Sequence, residues 1–160
     1  MHAHWGDTSG HGSEHRLDGR SYDAELHIVH FNSSQYESPG QALDKGDGLA
    51  VLGMFLTVGT EDHPEFEKIC KRFAEIQNAK DLVPLEEDID LNNFLPDNRT
   101  FFTYPGSLTT PPLYESVTWI VFRQEVAISQ RQVVYTLQKI NINLGLFWLN
   151  YKQCPYCPLS

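Results

Sequence analysis

The chain has 160 residues, 41% hydrophobic and 12% aromatic, a composition that suits one packed globular domain and excludes a disordered one. Its formal charge of −9 at pH 7 argues against nucleic acid or an anionic membrane surface as partner, since both call for basic patches. No apolar run approaches the roughly 20 residues of a membrane span, and no basic segment followed by an apolar stretch marks a signal peptide.

The chain opens HAHWG after Met1, and an extended H-x-H places His2 and His4 on one face, because strand side chains alternate with period two. Histidines in a mobile terminus are the plainer alternative. YDAELHIVHF (22–31) predicts a second strand, with Glu25, His27 and Val29 on one face and Leu26, Ile28 and His30 on the other. If His27 joins His2 and His4, three imidazoles leave a fourth tetrahedral position open, as in a catalytic zinc site. Glu25 then stands where a carboxylate orients a ligand histidine. The competing reading is that H-x-H arises by chance and that His27 and His30 are hydrogen-bonded core residues.

GLAVLGMFLTVG (48–59) predicts a strand buried on both faces. Residues 62–79 carry Phe66, Ile69, Cys70, Phe73 and Ile76 at helical spacing, with Asp62 as the expected cap, Pro64 in the first turn and Glu65 completing a box-like start. The polar, acidic stretch 80–100 is expected to be a surface connection. ESVTWIVFR (115–123) alternates Val117, Trp119 and Val121 as a strand, and 129–140 reads as a helix capped by Ser129 with Val133, Val134, Leu137 and Ile140 inward. Cys154 and Cys157 form CPYC, a spacing shared by redox dithiols and half zinc sites. Pro158 and the chain end leave no room for the helix that would activate a thiolate.

HAHWG, GSEH, AELHIVH, DGLAVLG and YPGSLTTPP followed by VTWIV stand in the order and approximate spacing of the α-class carbonic anhydrases, and the chain resembles that family from Met1 to about Asn141. The resemblance implies a mainly β fold, part of a large, mostly antiparallel central sheet with short peripheral helices. Residues 1–141 would form a partial domain of this type, and 142–160 a divergent tail. It further implies a zinc lyase that hydrates carbon dioxide reversibly to bicarbonate and a proton, by attack of zinc hydroxide.

On this resemblance His2, His4 and His27 are the zinc ligands and Glu25 orients the third of them. Thr109 accepts a hydrogen bond from the hydroxide and passes its own proton to a buried Glu14. Val29, Val51, Leu108, Val117 and Trp119 line the carbon dioxide pocket, and Thr110 contacts bicarbonate. His15 and His30 match buried, hydrogen-bonded positions, and Trp5 is scaffold. The family's segment before the H-x-H strand, with its proton-shuttling histidine, would precede Met1. The chain is therefore expected to be a truncated form with reduced or lost activity, or a non-catalytic binding module of the same family. Leu113, where secreted relatives place a disulfide cysteine, suggests a cytoplasmic parent, and the resemblance separately implies a monomer.

Overall fold

Six strands join in one mixed sheet in the computed structural model, which describes residues 1–133 except for 7, 74 and 77–82. They are β1 (His2–Trp5), β2 (Ala24–Phe31), β3 (Leu49–Gly59), β4 (Phe101–Gly106), β5 (Val117–Phe122) and β6 (Val126–Ser129). The order is β1-β2-β3-β5-β4, and β6 pairs with β3 beyond β5. The pairs β1–β2, β2–β3 and β4–β5 are antiparallel, whereas β5 and β6 both run parallel to β3, one after the other along the same edge. The expected mainly β architecture with short helices is what the chain forms.

Period two sorts the side chains to two faces. On one face Leu26, Ile28, Leu52, Met54, Leu56, Phe122 and Ile128 pack beneath helix α2 (Pro64–Phe73), which contributes Phe66, Ile69 and Cys70. On the other, Val51, Phe55, Val117, Trp119 and Val121 pack with Tyr22 and with Ala42 of the short helix α1 (Pro39–Ala42). β3 is buried on both faces from Leu49 to Leu56, as its uninterrupted apolar run predicts.

Several local expectations need correction. Asp62 does not cap α2: the Nδ1 of His63 accepts from the Phe66 backbone N–H at 3.3 Å, and Asp62 instead receives Ser129 Oγ and Arg131. The segment 80–100 is more than a surface connection, because a 3-10 turn over Leu91–Phe94 drives Phe94 into the core. Glu65 holds that turn to α2, accepting from Asn93 Nδ2 at 2.9 Å and from the Asp90 backbone at 3.2 Å. β4 and β6 went unrecognised: β4 contains Pro105, which argues against a strand until the strand is known to lie at a sheet edge.

Ser129 caps as expected, within a reciprocal box. Its Oγ accepts from the Gln132 N–H, and Gln132 Oε1 accepts from the Ser129 N–H, both at 3.2 Å. Residues 130–133 are helical. Val134, Leu137, Ile140, Cys154 and Cys157 lie outside the described residues. Among the described residues no helix is long and apolar enough to cross a membrane.

Candidate metal centre

Antiparallel pairing of β1 with β2 sets His2 opposite His27 and His4 opposite Glu25, so all four side chains fall on one face. The three imidazoles meet with ring centroids 4.8 to 5.1 Å apart. His27 Nδ1 and His2 Nε2 approach to 3.3 Å, and His4 Nε2 is buried with no hydrogen-bond partner. Zinc–nitrogen bonds of about 2.0–2.1 Å at tetrahedral angles separate two ligand nitrogens by about 3.3–3.4 Å. The observed spacing and the orphaned nitrogen therefore fit a zinc ion.

A second group, His15, Glu25 and His27, also brings ligand atoms together. Its spacing has a different meaning. Glu25 Oε1 lies 2.5 Å from His15 Nδ1 and 2.7 Å from His27 Nε2, too close for two ligands of one metal and right for N–H donors to a carboxylate. Glu25 Oε2 also accepts from the His15 backbone at 2.7 Å. Burial alone would raise the Glu25 carboxyl, but the hydrogen bonds from His15 and His27 overcome it and hold the group well below the usual range. An ionised Glu25 only accepts, so His27 carries its proton on Nε2 and turns the Nδ1 lone pair toward His2.

The connection from β1 to β2 carries Glu14 and His15 over this face. Asp23 pins it, accepting from Ser9 Oγ at 2.5 Å, Gly10 N at 2.8 Å and Val58 N at 3.0 Å. Ser13 adds a second tie, its Oγ accepting from Tyr22 N at 3.0 Å. Glu14 is not buried as expected: its side chain is partly open, with Oε2 3.3 Å from His4 Nε2 and 3.9 Å from His27 Nδ1. Thr109 and Thr110 are exposed, and among the described residues no hydrogen bond joins Thr109 to Glu14. The carboxylate faces the histidines, so the expected proton relay is not formed. His15 is hydrogen-bonded as expected. His30 is half-buried, and its Nδ1 has no hydrogen-bond partner.

The apolar wall does assemble. Val51, Val117 and Trp119 are buried in one cluster, with Val29 and Leu108 half-buried at its margin. The Trp119 ring stands edge-on to His27 at 4.8 Å and to His15 at 4.7 Å. It reaches them past Gly53, which pairs with both His27 and Val121. A Cβ at Gly53 would lie 3.4 Å from Glu25 Oε1 and 3.8 Å from the indole. Gly106 has a similar role on β4: a Cβ there would sit 2.8 Å from both the Trp119 and Tyr104 rings. Gly106→Ala is expected to cost about 1–3 kcal/mol, as overpacking does, read as a lower urea midpoint at unchanged slope.

Burial, reinforced by His27 and His4, pushes His2 down to about 3. Burial, with His27 and against Glu14, also lowers His4. The folded chain thus refuses protons that the unfolded chain takes up near pH 6.5, and stability falls as pH drops from about 6.5 toward 3. Glu25, held low, acts in the same direction at the acid end of that window. The metal-free chain should show a lower urea midpoint at pH 5 than at pH 7, and equal midpoints would contradict this.

Sequence reasoning missed Tyr104, whose Oη lies 2.5 Å from His15 Nε2. Its signal was available in the aromatic run FFTYPG, and in the pairing of Tyr104 with Trp119 once β4 is recognised.

The sequence matches the model of the eukaryotic-type carbonic anhydrase family over residues 1–143. Across 133 residues the chain is 45% identical to carbonic anhydrase 7 of Mus musculus and to carbonic anhydrase 7 of Homo sapiens. It is 40% identical to carbonic anhydrase 1 of Mus musculus. Each alignment covers 83% of this chain and 50% of the relative, so the chain spans about half the length of the curated relatives it matches.

Proposed function

Because the chain belongs to the eukaryotic-type carbonic anhydrase family, we propose that it binds one zinc ion through His2, His4 and His27 and hydrates carbon dioxide reversibly to bicarbonate and a proton. The observation that carries this reading is the convergence of three imidazoles whose ligand nitrogens lie within 4.8 Å of one another, with His27 Nδ1 and His2 Nε2 at 3.3 Å and His4 Nε2 buried without a hydrogen bond. Zinc, when bound, supplies a Lewis acid that lowers the pKa of water to about 7, a magnitude established for carbonic anhydrases themselves.

The chain's own residues do the rest. Glu25 holds the His27 ring in the tautomer that presents Nδ1. Trp119 braces that ring from the side. Val29 and Leu108, half-buried against the cluster that holds Trp119, offer an apolar surface suited to a small molecule without a net dipole, and Val51 and Val117 belong to the same cluster. Thr110, exposed on the LTTPP turn, is the candidate contact for bicarbonate, and Glu14, with Oε2 3.3 Å from His4 Nε2, faces the histidines.

The test is zinc stoichiometry by plasma mass spectrometry together with stopped-flow hydration on the same preparation. One zinc per chain with catalysed hydration supports the proposal. No bound zinc overturns it. One zinc without turnover favours a second reading, a non-catalytic zinc-binding module. The observation in its favour is that Thr109 is exposed and not hydrogen-bonded to Glu14.

A further inference from the structure

The motif Asn-x-Ser/Thr, which marks an acceptor for N-linked oligosaccharide, occurs twice, at Asn32-Ser33-Ser34 and at Asn98-Arg99-Thr100. The fold treats the two differently. Asn32, just past β2, is 8% exposed; its Nδ2 donates to the Asp47 carbonyl at 3.3 Å, and its Oδ1 accepts from Ser34 Oγ at 2.6 Å. A saccharide on that nitrogen would have to force the β2–β3 connection open. Residues 97–100, by contrast, are all exposed. Asn98 Oδ1 accepts from the Thr100 N–H at 3.1 Å, an Asx turn that leaves Nδ2 without a hydrogen bond among the described residues. The turn is fixed in place, since the Asn98 N–H donates to Gln124 Oε1 at 2.7 Å and the Thr100 carbonyl accepts from the Arg123 N–H at 3.0 Å. It leads directly into β4, where Phe101 is 52% and Phe102 41% exposed on an edge strand. Apolar edges of this kind invite pairing with other chains.

We propose that Asn98 carries an N-linked glycan that shields the apolar β4 edge, and that Asn32 carries none. The donor is a lipid-pyrophosphate-linked oligosaccharide. A bond forms between Asn98 Nδ2 and the anomeric carbon of the first sugar, and the bond from that carbon to the pyrophosphate oxygen breaks. The lipid pyrophosphate leaves with the bonding pair, and one Nδ2 proton passes to a base of the transferase. A bulky, hydrated glycan in the turn before Phe101 keeps a second chain away from the edge. Transfer takes place in the secretory lumen, so the proposal sets Asn98 against the cytoplasmic parent that Leu113 suggests. It does not rest on the zinc reading.

The test takes the full chain from its natural source and, in parallel, from cultured eukaryotic cells in which it is directed into the secretory lumen. Peptide-N-glycosidase in heavy-oxygen water converts each occupied asparagine to a labelled aspartate, which mass spectrometry locates. Label is expected at residue 98 and none at residue 32. In the cells, Asn98→Gln and Thr100→Ala should each remove the glycan's mass. Ser34→Ala, which breaks the other motif and leaves Asn32 itself in place, should retain it. Mass shifts are read on whole lysate, so a variant that folds poorly still reports. Light scattering then compares self-association: Asn98→Gln should associate several-fold faster than the glycosylated chain, and Phe101→Ser added to it should slow association again. Unmodified Asn98 in either preparation, or label at residue 32, overturns the proposal. So does equal self-association with and without the glycan.

Discussion

Replacing His27 with alanine is expected to abolish stoichiometric zinc binding. His27 is one of three converging imidazoles and is almost fully buried. Its loss also leaves Glu25 with one donor fewer in a fully buried position, a cost of about 1–3 kcal/mol for an unpaired group. Glu25→Gln keeps all three imidazoles and disturbs only the orientation of the third, so it should weaken binding by about 10–100-fold. His11, exposed on its loop with Nδ1 3.1 Å from the Ser9 carbonyl, is the control, and His11→Ala should bind zinc as wild type does. Equal zinc content in wild type and His27→Ala, by plasma mass spectrometry after dialysis, would remove His27 from the site.

The largest expected loss of stability is for Phe55→Ala, about 3–5 kcal/mol. Phe55 is 1% exposed on β3, sits opposite Glu25 in the β2–β3 register, and stacks on Tyr22 with ring centroids 4.1 Å apart. Removing it opens a cavity beneath the metal centre and frees Tyr22, whose backbone anchors the loop carrying Glu14 and His15. Against a typical net stability of about 5–15 kcal/mol, such a loss takes a large part of the total. Phe101, 52% exposed on the edge strand, offers the contrast. Phe101→Ala should cost less than about 1 kcal/mol, because little of its surface leaves water on folding. Urea titrations of the two variants against wild type measure both effects. Similar midpoints for the two would mean that the sheet face under the histidines is not the packed core it resembles.

Local periodicity was enough to place His2, His4, His27 and Glu25 on one side of two strands. Alternation is a property of the backbone and needs no knowledge of what the strands pack against. The same holds for the alternating Val117, Trp119 and Val121 and for the unbroken apolar run of β3, whose burial on both faces its composition anticipates. Ser129 and Gln132, three residues apart, close their box through contacts between near neighbours in the chain.

What only the tertiary structure decided involves partners far apart in sequence, where no local pattern carries the information. The His15–Tyr104 bond spans 89 residues. Phe94 is buried because α2 supplies a surface for an otherwise polar segment. Pro105 is tolerated because β4 lies at the sheet edge, a place in the fold that its own six residues do not specify. The cap of α2 passed from Asp62 to His63 because Ser129 and Arg131, more than 60 residues downstream, engage the Asp62 carboxylate. Motif order identified the candidate ligands. Whether Glu14 faces Thr109 or the histidines was a question of loop placement, which long-range hydrogen bonds accepted by Asp23 and packing against β5 resolve toward the histidines.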